Sequence, residues 1–143
     1  MCIRDSAYTS PFAIQPDFAI ALDVTFAKGP GSTDWRTVPL GKGIALAWGP
    51  NIHPALYDAL TKTADELDIP YSREAAPGMT GTDAAAIQMV QAGIPCVLVS
   101  TPLRYMHTPV EMVVLRDIQR AGRLIAEFIS ALPVDFMQTL EWK

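Results

Sequence analysis

Two runs of nearly unbroken apolar residues stand out along the chain. Residues 18–25 read Phe-Ala-Ile-Ala-Leu-Asp-Val-Thr, with one charge near the end, and residues 94–100 read Ile-Pro-Cys-Val-Leu-Val-Ser, with none. An apolar run without alternation is the pattern of a strand covered on both faces, as in a parallel sheet beneath helices. Residues 44–48 and 69–74 read as two shorter strands. Elsewhere the spacing becomes helical. Leu56, Leu60, Ala64 and Leu67 predict a helix to about residue 68, with Asn51 as its N-cap and Pro70 beyond its stop. Thr82 is the expected N-cap of a helix over 83–92, closed by Gly93. Residues 116–132 form an amphipathic helix with Ile118, Ala121, Ile125, Phe128 and Leu132 on one stripe. Residues 27–43, 76–81 and 101–109 read as loops. Strands that alternate with helices predict an α/β sandwich, which gathers ligands just beyond the carboxyl ends of its strands.

Composition narrows the classes. A chain of 143 residues suffices for one domain with one core. Half of it is hydrophobic and 18% is charged, which suits a globular protein rather than a disordered one. A net charge of −4, without a Lys/Arg cluster, argues against nucleic acid as a partner. No apolar stretch approaches the roughly 20 residues of a membrane span, and no signal core opens the chain. Cys2 lies in the tail and Cys96 in an apolar strand, so no disulfide framework is expected and a cytoplasmic location follows.

The candidate chemistry sits at strand ends. Asp23 interrupts an apolar run, where an unpaired carboxylate is costly. It takes either a metal ion or a bland partner, a neighbouring backbone N–H or Arg36. His107 is one of two histidines and lies a few residues past the second strand. A hard oxygen and an imidazole together suit zinc, cobalt or manganese. Thr108-Pro-Val-Glu111 has the form of a capping box with proline at the first helical position, and Glu111 alternatively supports His107 from behind by fixing its tautomer. The 78–84 loop precedes a helix N-terminus suited to an anion or carbonyl, while Thr82 and Asp83 also serve simply as cap and dipole partner. The Leu-Gly-Lys-Gly of 40–43 lacks the spacing of a phosphate loop. His53 reads as a surface or capping residue, and Cys96 as core.

Four of these segments, Ala-Leu-Asp-Val-Thr around Asp23, Leu-Gly-Lys-Gly at 40–43, Gly-Thr-Asp-Ala at 81–84 and Arg-Tyr-Met-His-Thr-Pro-Val-Glu at 104–111, resemble in type and order the C-terminal part of M42-type metallo-aminopeptidases. The resemblance runs from about residue 7 to 132. It implies the C-terminal half of a three-layer α/β/α catalytic domain of the dinuclear zinc peptidase type, over 7–143, behind a non-family tail at 1–6. It implies that Asp23 and His107 each ligate one of two divalent metal ions, zinc or cobalt. Thr82, Asp83 and Arg104 then fall on the cleft side. The implied reaction releases N-terminal residues from a peptide substrate, and the implied full-length assembly is a homo-oligomer. The family also uses a histidine, a bridging aspartate and a Glu-Glu pair that includes the general base. These precede the Asp23 motif and have no counterpart here, so the expectation is a fragment inactive by itself. A non-catalytic assembly module, and a glycan hydrolase in line with the endoglucanase label of some relatives, are the alternatives.

Overall fold

The computed structural model of the chain describes residues 4–32 and 34–140. A mixed sheet carries the fold. Strands β1 (Ala19–Phe26), β2 (Ile44–Trp48), β3 (Tyr71–Ala75) and β4 (Cys96–Arg104) lie in the order β1-β4-β2-β3. β1 runs parallel to β4, with Asp23 opposite Ser100 and Phe26 opposite Leu103. β2 and β3 are parallel to each other, and β2 meets β4 antiparallel only at Ala45–Ser100 and Leu46–Val99. Past that point β5 (Met112–Val113) pairs with Leu103 and Arg104. The gap explains a proline inside a central strand. Pro102, which has no N–H to donate, falls between the end of the β2 ladder and the start of the β5 ladder.

Helices cover the sheet in two layers. α2 (Pro54–Glu66) and α4 (Leu115–Ser130) pack together against β2 and β4. α3 (Asp83–Gln88), with α1 (Asp5–Ile14) outside it, packs against β1 and β4. The three-layer α/β/α reading of the sequence therefore stands. Ile44, Leu46, Leu56, Leu60, Val97, Val99 and Leu124 form the centre of the core. None of the helices among the described residues is long and apolar enough to cross a membrane.

Several local expectations are corrected. β4 is buried along nearly its whole length, as its apolar run predicts, and it extends to Arg104 into residues expected as loop. β1 is not covered on both faces. It is the edge strand, leaving Leu22 60% and Phe26 52% exposed. Asn51 does not cap α2. It donates from Nδ2 to Gln88 Oε1 and accepts the Thr80 N–H on Oδ1, pinning two loops together. The N-cap position belongs to His53, which is 1% exposed rather than at the surface, and whose N–H donates to the Cys96 carbonyl at 2.8 Å. Burial pushes the His53 imidazole below its ordinary pKa. α3 ends at Gln88, four residues early. The buried stripe of α4 is Asp117, Ala121, Leu124 and Phe128, so Ile118 faces outward. α1 escaped prediction because only Ala7 and Pro11 are buried along it, leaving no stripe to read, and it begins inside the segment read as tail.

One buried carboxylate ties the layers. Asp117, in the first turn of α4 and 0% exposed, accepts the Gly41 N–H on Oδ2 at 2.9 Å and the Gly43 N–H on Oδ1 at 3.2 Å. Arg120 donates to the same Oδ1 at 3.0 Å. The Leu-Gly-Lys-Gly segment is thus a structural turn at the head of β2. Its glycines are required. Gly41 and Gly43 have φ of 76° and 124°, and a Cβ on Gly43 would stand 1.9 Å from the Pro70 carbonyl oxygen.

Removing Asp117 strands one buried and one half-buried N–H group and a guanidinium. Asp117→Ala is expected to lower unfolding free energy by about 3 kcal/mol or more in urea melts, with Asp117→Asn losing less because one acceptor remains. Gly43→Ala should destabilise far more than Gly78→Ala, beside which nothing lies within 4 Å. Cys96 is 1% exposed, and burial pushes its thiol up to about 12. Its alkylation by iodoacetamide at pH 8, followed by peptide mapping, should therefore proceed only at the rate of unfolding.

Candidate functional site

Several polar residues of the sheet share one face. Asp23 and Thr25 share a face of β1 by the period of two, and Ser100 stands opposite Asp23 on β4. From β3, Glu74 reaches across the sheet, and the Thr25 hydroxyl donates to its Oε1. Glu74 Oε2 and Ser100 Oγ are closed off from solvent without a hydrogen bond of good geometry among the described residues. Burial raises the Glu74 pKa, the Thr25 and Ser100 hydroxyls oppose that rise, and the nearby Asp23 carboxylate adds to it. Asp23 takes the bland partner among those expected, its Oδ1 accepting the Val24 N–H at 2.8 Å. This contact uses one carboxylate oxygen.

His107 lies in the 105–111 loop that joins β4 to β5, beyond the carboxyl end of the β1–β4 pair. The loop is tightly wound. Tyr105 and His107 both adopt the left-handed region, at φ 61° and 64°, which costs a non-glycine residue roughly 1–2 kcal/mol. Local bonds hold it there. Thr108 donates to the Tyr105 carbonyl from its N–H at 3.1 Å and from its hydroxyl at 2.6 Å. Glu111 Oε1 accepts the His107 main-chain N–H at 2.6 Å. Both sequence expectations for Glu111 change accordingly. No helical turn forms at 108–111, and the carboxylate grips the backbone of His107, not its ring.

The remaining candidates separate. Thr82 occupies the N-cap position of α3, but its hydroxyl meets Thr80 Oγ1 at 3.0 Å, without a side-chain cap bond. It lines a cavity of about 460 Å³ together with Phe26, Arg36, Glu74 and Met79, so it shares a hollow with the end of the Asp23 strand. Asp83 turns to the outside, 4.0 Å from Arg4. Arg104 Nε donates to the Lys28 carbonyl at 2.8 Å, bracing the 27–32 loop against the end of β4 beside a smaller cavity of about 190 Å³. Sequence reading missed Thr25, Glu74 and Ser100. The alternation of Asp23 with Thr25 and of Ser72 with Glu74 was the available signal, but it names no partner strand.

In kind, an aspartate oxygen and a histidine nitrogen suit a zinc-type ion. No group of three or more His, Cys, Asp or Glu side chains converges among the described residues.

Comparison with known proteins completes the picture. The family model described as M42 glutamyl aminopeptidase matches residues 4–124. A lysyl aminopeptidase from Pyrococcus furiosus is 39% identical over 131 residues, which are 91% of this chain and 38% of that protein. The fold superposes on aminopeptidase APDkam598 from the archaeon Desulfurococcus kamchatkensis with a TM-score of 0.86 at 34% identity, covering 99% of this chain and 41% of that one. It also superposes on the TET aminopeptidase of a marine sediment archaeon, Thaumarchaeota archaeon SCGC AB-539-E09, with a TM-score of 0.88 at 28% identity, covering 97% and 40%. The chain thus spans about two fifths of the length of these relatives. With the family match covering most of the chain and the fold agreeing throughout, this chain belongs to the M42 glutamyl aminopeptidase family.

Proposed function

We propose that this chain is the C-terminal part of a metal-dependent aminopeptidase that removes N-terminal residues from peptides, and that Asp23 and His107 each contribute one ligand to a pair of divalent ions, zinc or cobalt. The observation that carries the reading is the family match over residues 4–124; Asp23, inside β1 opposite Ser100, and His107, in the loop that follows β4, are the side chains offered for the role. When bound, such ions supply Lewis-acid activation of water and polarisation of the scissile carbonyl.

The chain's own residues have narrower tasks. Asp23 keeps Oδ2 free of the Val24 contact, so it offers one oxygen from a strand whose backbone is fixed by β4. His107 offers its imidazole from a loop braced at both ends. Phe26, Met79 and Thr82 line a hollow beside that edge, with Arg36 and Glu74 as its charged walls. A catalytic zinc typically takes three protein ligands. One each from Asp23 and His107 is too few for tight binding, and a general base among these residues is not part of the proposal. The full-length protein is taken to be a cytoplasmic homo-oligomer.

The 143 residues alone are therefore expected to leave aminoacyl-nitroanilides intact at any zinc or cobalt concentration that keeps them soluble. Release of nitroaniline that a chelator stops and Asp23→Ala abolishes would show the chain to be catalytically complete. In the chain extended to the length of its relatives, Asp23→Ala should reduce kcat/KM by at least about a thousandfold, the scale on which loss of a group essential to the catalytic unit is felt.

A further inference from the structure

We propose that Glu111 is a positioning residue that holds His107 in its left-handed backbone conformation and thereby aims the imidazole. A seven-residue connection, 105–111, leaves β4 at Arg104 and returns as β5 at Met112, and these two residues are paired. Within it, φ is positive at Tyr105 and at His107, two positions with side chains that resist that region. The first is secured from within the loop, because the Tyr105 carbonyl accepts two bonds from Thr108. The second is secured by Glu111 alone among the described contacts, through a 2.6 Å bond from the His107 N–H to a carboxylate oxygen. Bonds to an ionised acceptor are shorter and stronger than neutral ones, so this is the contact suited to oppose the unfavourable φ.

The direction of a side chain follows from the backbone dihedrals at its Cα. If φ at His107 returned to negative values, the Cα–Cβ bond would swing to a different side of the loop, and the imidazole with it. Glu111 thus acts on the ring without touching it. Histidine is among the residues that tolerate the left-handed region best, which fits a position where an imidazole and this backbone are needed together. The aiming half of the inference rests on the metal-ligand reading of His107, whereas the backbone half does not.

Nuclear magnetic resonance on the full 143-residue chain separates the two. Scalar couplings across the His107 amide report the sign of φ, and the His107 ring resonances report zinc as it is titrated in. Three proteins are compared, the wild type, Glu111→Gln and Glu111→Ala, with thermal melts confirming that all remain folded. The expected result is a positive φ in the wild type and in Glu111→Gln, whose neutral amide oxygen still accepts, and its loss in Glu111→Ala. The zinc concentration needed to shift the ring should rise roughly tenfold or more in Glu111→Ala, the usual scale for groups that orient a ligand. A positive φ that survives in Glu111→Ala overturns the proposal, as does a lost φ with unchanged zinc response. A wild-type ring that stays indifferent even at the high zinc concentrations a site of one or two protein ligands requires sinks the metal reading and with it the aiming half, while the coupling comparison still decides whether Glu111 holds the backbone.

Discussion

The carboxylate of Asp117 holds together parts of the chain that neither neighbouring sequence nor sheet hydrogen bonds would join. It sits with no exposure in the first turn of α4, yet its ligands are the amides of Gly41 and Gly43 at the head of β2. β2 touches β4 through only two residue pairs. A central strand held so briefly needs another restraint, and the helix layer supplies it. The Gly43 backbone also fits against the Pro70 carbonyl, so the entry to β3 is set by the same turn. Taking that carboxylate out of water is costly, and the geometry offsets the cost with two N–H groups and the Arg120 guanidinium.

The sheet has a closed centre and an open edge. β4 is buried as far as Leu103, whereas β1 shows Leu22, Val24 and Phe26 to solvent. Part of the open edge is blunted locally. Val38 exchanges bonds with Phe26 and Lys28, and Asp23 accepts the Val24 N–H. The rest remains an unpaired edge of apolar composition, a feature that folded proteins usually cover. The chain's span of about two fifths of its relatives is consistent with a sheet that is not complete within these residues.

At the site, the organising feature is a set of hydroxyl and carboxyl groups on one sheet face and a strained loop beyond it. Glu74 is the least expected member. It stands on β3, two strands away from β4, and still meets Thr25 of β1. The link joins the outermost strands and places a buried carboxyl near Asp23, whose charge adds to the rise in the Glu74 pKa. Beyond β4, the loop gives up backbone comfort at Tyr105 and His107 in exchange for a fixed geometry, and it does so with bonds made almost entirely within seven residues.

The amino-acid pattern alone was enough for whatever depends on local burial. It placed the strand at 44–48, the long helix before the C-terminus and the apolar first half of β4, because period and run length record which side chains face the core. It also marked Asp23 and His107, whose residue types are unusual for their surroundings. It misjudged β1, since an edge strand and a central one carry the same apolar run and differ only in what lies beside them. It misread Asn51, missed the burial of His53 and assigned no partner to the Leu-Gly-Lys-Gly turn, because their partners are 29 or more residues away. It had no means of joining Thr25 to Glu74 across 49 residues. Hydrogen bonds between distant segments leave no periodicity in either segment, so the folded chain decided those contacts, and with them the shape of the site.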